Sequence, residues 1–248
     1  MTDVLDELVG MSRELGSPQH DYAMLGEGNT SSRVDAESFW VKASGTQLAQ
    51  ADRASFVRVQ TRPILEALER DTLDDAAIKD LLKTSTIEGG RAPSIETFLH
   101  ALCLQIEGVN FVGHTHPTAA VGLLCSNNGR DLFAGSLFPD QIVVLGPAYA
   151  FVPYSDPGLA LSMAVKHALD HFLKLHQREP KVLLMENHGI IALGHTAQEV
   201  LNITAMLVKT CRIITGTLAA GGPRFLSQAQ VDRIDKRPDE LARRKGFK

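Results

Sequence analysis

Apolar positions along this chain recur with two periods, and the alternation between them sets out the elements. Val4, Leu5, Leu8, Val9 and Leu15 stand at near-helical spacing, with Gly16 and Pro18 just beyond as a stop, so the chain opens with an amphipathic helix. A glycine and hydroxyl run over 26–33 reads as a loop leading into an apolar strand at 38–42, and Ala43-Ser44-Gly45-Thr46 reads as a second small polar loop. Residues 56–59 suggest a short strand and 76–82 a helix. Ile95, Phe98, Leu99, Leu102 and Ile106 form a stripe at helical spacing, with Ser94 as its candidate N-cap and Glu96 in its first turn. Short apolar runs at 109–112 and 182–185 read as buried strands, and 118–124 as a small helix. Residues 141–145 and 148–152 read as two strands joined around Gly146-Pro147. Two long helices follow from the patterns over 159–175 and 197–218, the second burying Val200, Ile203, Met206, Leu207 and Ile213. Short strands interleaved with helices predict an α/β fold. No internal repeat, linker or shift of composition divides the chain, so a single domain over 1–248 is the economical reading.

Composition narrows the classes. With 44% hydrophobic and 22% charged residues the 248-residue chain has ample apolar content for a core. A net charge of −4 argues against a general nucleic-acid binder, whose footprint would be basic. No apolar run approaches the roughly 18–20 residues of a membrane span, and the first residues carry neither a basic nor an apolar signal region, so a cytoplasmic location is expected. Cys103, Cys125 and Cys211 are widely spaced among apolar neighbours and read as buried free thiols. The basic run Arg243-Arg244-Lys245 reads as a solvated end.

The chemistry concentrates in three short stretches. In an extended segment, side chains two residues apart point the same way, so His114 and His116 can offer two imidazoles to one point before Pro117 breaks the ladder. His188 ends a similar run and precedes Gly189, which permits a tight backbone path. If the two strands neighbour each other, three neutral nitrogens converge and leave open positions on a divalent ion. Glu96 has two readings: a charge placed against the helix macrodipole, or a general acid/base beside a metal-bound substrate. His100, four residues on, is either support for that site or a satisfied helix histidine. Glu186 is either support for the same site or a strand-end charge, and Lys42 faces either the polar loops or solvent. His167 and His171, at i,i+4 spacing, read as surface or packing residues.

The order Gly28-Asn29, Ser44-Gly45, Pro93-Ser94-Ile95-Glu96, His114-Thr115-His116-Pro117 and Asn187-His188-Gly189 resembles the class II aldolase/adducin family, which includes fuculose-phosphate and rhamnulose-phosphate aldolases and ribulose-phosphate epimerases. The likeness runs from about residue 5 to about residue 220. It implies a three-layer α/β/α sandwich around a mixed, mostly antiparallel sheet, assembled as a homotetramer with active sites at subunit interfaces. It implies His114, His116 and His188 as ligands of a divalent metal, zinc first, with Mn2+ or another ion as the alternative. It further implies Glu96 as the proton-transfer residue, and Asn29, Ser44, Gly45 and Ser94 as the binding site for a sugar phosphate. Retro-aldol cleavage leaves an enediolate whose charge a chelated ion stabilises. One departure bears on substrate: where several phosphate-specific relatives carry a second serine before the glutamate, this chain has Ile95. In this respect it resembles the aldolase halves of rhamnulose-phosphate aldolase/dehydrogenase fusions, although it is too short to hold their dehydrogenase half. An epimerase or decarboxylase working through the same enediolate is the alternative, and an adducin-like scaffold is the rival from a different class. No membrane and no nucleic-acid partner is expected.

Overall fold

The computed structural model describes residues 3–69 and 74–246. Its centre is one eight-stranded sheet made of β1 (Asn29–Arg33), β2 (Ser38–Lys42), β3 (Phe56–Gln60), β4 (Thr86–Glu88), β5 (Phe111–Thr115), β6 (Ala150–Val152), β7 (Val182–Met185) and β8 (Gly189–Gly194). The spatial order is β4-β3-β2-β1-β5-β8-β7-β6. Every neighbouring pair is antiparallel except β6 and β7, which run parallel. Among the described residues the helices are α1 (Val4–Leu15), α2 (Thr61–Ala67), α3 (Asp75–Thr84), α4 (Thr97–Cys103), α5 (Thr118–Leu124), α6 (Gly129–Leu132), α7 (Pro139–Leu145), α8 (Leu159–His176), α9 (Ala197–Leu218), α10 (Gln228–Lys236) and α11 (Pro238–Lys245).

Alternation along the strands builds two cores. In β7 and β8, Leu183, Met185, Ile191 and Leu193 face a cluster closed by α2, α3, α4 and α8. Val182, Leu184, Ile190 and Ala192 face the opposite cluster, closed by α1, α5, α7 and α9. Period-two side-chain geometry on a sheet covered on both sides gives this three-layer α/β/α sandwich, the architecture expected above. No helix among the described residues is long and apolar enough to cross a membrane.

Four local expectations need correction. Residues 141–145 form the helix α7 and not a strand: Pro139 occupies the first turn and all five residues are buried, so no polar face reveals the helical period. The hydroxyl run after Gly28 is a strand, β1, in which Thr30 and Ser31 find buried partners while the Ser32 hydroxyl is buried without one. Thr30 Oγ1 lies 2.7 Å from Ser12 Oγ, and Ser31 Oγ lies 2.7 Å from His100 Nδ1. Glu96 is the N-cap of α4 instead of a first-turn residue, and Ile95, 46% exposed, is off the buried stripe. Cys103 and Cys211 are buried thiols, whereas Cys125 is exposed where α5 ends and the chain turns outward. Smaller adjustments are that Ile214 is fully buried where Ile213 is partly so, and that the 148–152 strand is confined to β6. Arg243 is exposed, and the side chains of Arg244 and Lys245 lie outside the described residues.

The helix that presents Glu96 is anchored by Phe98, which is fully buried in the first core. Phe98→Ala should cost about 3–5 kcal/mol, read as a lowered urea midpoint with little change in slope.

Candidate metal centre

The register of the sheet brings the chemistry to one end. Asn29 on β1 pairs opposite His114 on β5, and His114 pairs opposite Ile191 on β8, so their side chains leave the sheet on the face covered by α4. Gly28, in the left-handed region at φ +66°, lets β1 begin beside the His114 carbonyl; a Cβ there would stand 2.5 Å from that oxygen. His116 lies just past the end of β5, its N–H donating to the Tyr22 carbonyl at 2.8 Å. His188 comes from the β7–β8 turn. Its strand is not the neighbour of β5, because β8 lies between them, so the expectation of two adjacent strand ends is corrected: convergence follows from the hairpin. Asn187, not Gly189, takes the left-handed backbone of that turn, at φ +52°. Gly189 instead makes room, since a Cβ there would sit 2.5 Å from the Thr115 carbonyl oxygen and 2.6 Å from the His116 ring.

His114, His116 and His188 thereby place one potential ligand atom each within 4.8 Å of one another. The Nε2 atoms of His114 and His116 are 3.0 Å apart. His114 Nδ1 lies 2.9 Å from the Ile190 carbonyl oxygen; a carbonyl only accepts, so Nδ1 carries a hydrogen and Nε2 is the nitrogen that faces the site. Burial lowers the pKa of His116 to about 3 and that of His188 to about 4, with the neighbouring His114 adding to each shift. Both are therefore neutral at ordinary pH, the form that ligates a cation. A cluster of imidazole nitrogens with this spacing suits a divalent transition metal.

Glu96 closes the site from above. Its Oε2 is 3.5 Å from His114 Nε2, and its Oε1 is 3.5 Å from His188 Nε2. Burial by itself would raise its pKa, but the facing His114, the Asn29 amide and then His188 and His100 outweigh that and hold the carboxyl below its ordinary value. The Asn29 amide donates to Oε2 at 2.5 Å. Asn29 Oδ1 in turn meets His100 Nε2, and His100 Nδ1 meets Ser31 Oγ at 2.7 Å. His100 is thus linked to Glu96 through Asn29, with both of its ring nitrogens partnered. Ser31 was missed in the sequence; its position two residues after Asn29 on one strand was the available signal.

The remaining candidates are placed as follows. Ser94 stands at the edge of the site, its Oγ 3.5 Å from Asn29 Nδ2 and accepting from the Glu96 N–H at 3.3 Å. Ser44 and Gly45 are exposed on a turn tied to the same segment by a Ser44 N–H bond to the Ala92 carbonyl at 2.9 Å. Lys42 is buried, donating to the Thr46 carbonyl at 2.6 Å, and desolvation lowers its pKa although Glu96 opposes the shift. Glu186 lies in the hairpin turn, where it accepts from the Tyr154 N–H at 3.2 Å, so it does not share a strand face with His188. His167 and His171 are exposed on α8.

The family model described as Class II Aldolase and Adducin N-terminal domain matches residues 6–215. The chain belongs to this family. Among curated proteins, this class II aldolase/adducin member is similar to the uncharacterized oxidoreductase YuxG of Bacillus subtilis (strain 168), with 28% identity over 214 residues. That match takes in 83% of the chain but only 28% of YuxG, so the chain spans little more than a quarter of that relative's length. A solved N-terminal class II aldolase domain from Thermoplasma acidophilum is 27% identical, with a TM-score of 0.67 over 87% of this chain and 95% of the other. A solved L-fuculose 1-phosphate aldolase has the same fold at 18% identity, with a TM-score of 0.71 over 95% and 96% of the two chains.

Buried His100 carries a pH signature. Burial, reinforced by His114 and Lys42 and opposed by Glu96, lowers its pKa to about 3 from an ordinary 6.5. The unfolded chain therefore takes up a proton at this residue as pH falls through 6.5 while the folded protein does not. The stabilising effect of keeping it neutral is full above that value and declines toward pH 3. Going from neutral to mildly acidic pH, about 5.5, should cost the metal-free protein about 1 kcal/mol at this residue. Urea unfolding at the two pH values should show that loss, and His100→Gln should remove it.

Proposed function

We propose that this chain is a divalent-metal-dependent aldehyde-lyase, a class II aldolase that reversibly cleaves a sugar phosphate or related ketose. The observation that carries the reading is the buried carboxylate of Glu96, 3.5 Å from two of three converging imidazoles. A scaffold has no use for a buried ionised carboxylate beside neutral metal-type donors, since each is costly to desolvate.

His114, His116 and His188 would hold the ion, with zinc the first choice and manganese the alternative. When bound, the ion supplies Lewis-acid stabilisation of negative charge on the substrate's oxygens, undiminished by any anionic ligand. Glu96 moves the proton. Ionised and anchored by Asn29, it takes a proton from the carbon beside the ketone in the synthetic direction; that carbon's electron pair forms the new bond to the aldehyde, whose oxygen becomes a hydroxyl with the proton that Glu96 gives up through solvent. In cleavage the hydroxyl loses its proton as its oxygen becomes the aldehyde carbonyl, Glu96 takes that proton up through solvent, the pair of the broken carbon–carbon bond stays with the ketone half, and protonated Glu96 delivers the proton to that carbon. Asn29 fixes the carboxylate's direction, and the turn bearing Ser44 and Gly45, with Ser94, offers hydroxyls and backbone N–H groups to the substrate between the reacting carbon and its anionic end. The continuous sheet, covered on both faces, supports reading 1–248 as one domain.

We read the assembly as a homotetramer with its sites at subunit interfaces. Met24 and Leu25 support this: they are 56% and 82% exposed on the segment whose Tyr22 carbonyl holds His116. Light scattering should give four times the chain mass, and Leu25→Glu should lower it; a monodisperse wild-type monomer would refute the assembly.

The enzymatic reading is tested by metal analysis and a retro-aldol screen over ketose phosphates and ketose acids. His116→Ala should lose most bound metal and all turnover. Glu96→Gln should retain metal and slow turnover by about 10²–10⁴-fold. Full metal and rate in His116→Ala would sink the assignment, and metal without cleavage of any ketose would favour an epimerase or decarboxylase.

A further inference from the structure

A cavity of about 800 Å³ lies between α3 and the segment that leads to Glu96. Its volume is in the range of small-molecule sites, roughly 300–1,000 Å³. Three cations, Lys79, Lys83 and Arg91, line it against one carboxylate, Asp75. None of the three cations forms an ion pair among the described residues. In a chain of net charge −4 this is a local reversal of sign.

Helical spacing explains the grouping. Asp75, Lys79 and Lys83 fall at successive i,i+4 positions of α3, while Ile78 and Leu82 form the adjacent row and are buried. The apolar row floors the cavity, and the long basic side chains rise from it with their charged ends toward water. On the opposite wall stand Ser44 and Ile95. Ile95 is the residue between Ser94, which touches Asn29, and Glu96 itself. The cavity thus adjoins the metal centre through a single residue of backbone, and the polar turn of Ser44 opens into it.

We infer that this cavity is the subsite for the anionic end of the substrate, a terminal phosphate or carboxylate, held by Lys79, Lys83 and Arg91. The inference rests on the enzymatic reading above only for the word substrate; the anion site stands on its own residues. Charge-assisted contacts from side chains on two different segments suit a multiply charged group, and they do so without a hydroxyl at position 95. The apolar floor fits the carbon chain that joins such a group to the reacting end.

Two titrations test this. In the first, inorganic phosphate is titrated calorimetrically into His116→Ala, which disables the histidine cluster, with and without Lys79→Gln/Lys83→Gln/Arg91→Gln. Binding should persist in His116→Ala, weaken with added salt, and fall at least about ten-fold when the cations are removed. Equal phosphate affinity with and without the three cations would overturn the site. In the second, zinc-loaded wild type and the triple variant are compared for 3-phosphoglycerate, 4-phosphoerythronate and 6-phosphogluconate, each against its unphosphorylated acid. These 2-hydroxy acids chelate a divalent ion at one end and carry phosphate at the other. For at least one length the phosphorylated acid should bind wild type at least about ten-fold tighter than its partner, with the ratio collapsing in the triple variant. Unchanged ratios at every length would overturn the link to the substrate while leaving the anion site intact. Failure of zinc to bind would count against the aldolase reading alone, because the phosphate titration uses no metal. Circular dichroism and an unchanged urea midpoint confirm that the exposed substitutions leave the fold intact.

Discussion

A carboxylate kept ionised inside a protein must be compensated, and the arrangement around Glu96 follows from that constraint. An unpaired buried carboxylate would cost several kcal/mol, so Glu96 is met by an amide hydrogen at 2.5 Å and by two imidazoles at 3.5 Å. The amide that compensates it is itself buried and needs a donor for its own oxygen, which His100 Nε2–H supplies; His100 Nδ1 then accepts from the Ser31 hydroxyl. The chain of partners runs from α4 to β1 and back, so helix and strand are fixed relative to each other by polar contacts as well as by the apolar core. Leaving any one of these groups unpartnered would cost about 1–3 kcal/mol, which makes the network a positioning device with a steep penalty for error.

Sheet order supplies the other half of the arrangement. Insertion of β8 between β5 and β7 places the turn that carries His188 directly over the end of β5. Two close backbone approaches make this possible, one at Gly28 against the His114 carbonyl and one at Gly189 against Thr115 and the His116 ring. Because Ile190 accepts from His114 Nδ1, the same strand that delivers His188 also sets which nitrogen of His114 faces the site. The position of His188 and the orientation of the His114 ring therefore share one structural cause.

Much of this was legible in the residues. The His114 and His116 pair obeyed the period of a strand, and the helices over 4–15 and 197–218 obeyed the period of a helix, so elements and the shared side of the two histidines could be read from spacing. Where the reading failed, local pattern was degenerate. Residues 141–145 are buried all round, and a short run without a polar side looks the same as a helix or a strand. The hydroxyls of β1 looked like a loop because their partners, Ser12 on α1 and His100 on α4, are distant in sequence. The order of β5, β8 and β7 is a long-range property with no signature in either run, so convergence of the histidines could be stated only as a condition. The fold-level resemblance supplied what periodicity could not.

Position 95 shows how a local loss can be offset elsewhere. A hydroxyl there would contribute one charge-assisted hydrogen bond to a phosphate, worth about 1.5–3 kcal/mol. Isoleucine removes it and turns an apolar side chain, 46% exposed, toward the cavity beside α3. Hydrogen bonds from charged donors fall in the same range each, reduced at the cavity mouth by solvent and salt. Compensation therefore comes from number, since three basic side chains stand within the same cavity. The exchange also changes what is recognised. A hydroxyl close to the glutamate reads an anion near the reacting carbon, whereas cations on α3 read one displaced from it along an apolar floor. On the proposed reading the geometry favours a longer substrate over a compact one, and the selectivity resides in a helix that contributes nothing to the cluster of His114, His116, His188 and Glu96.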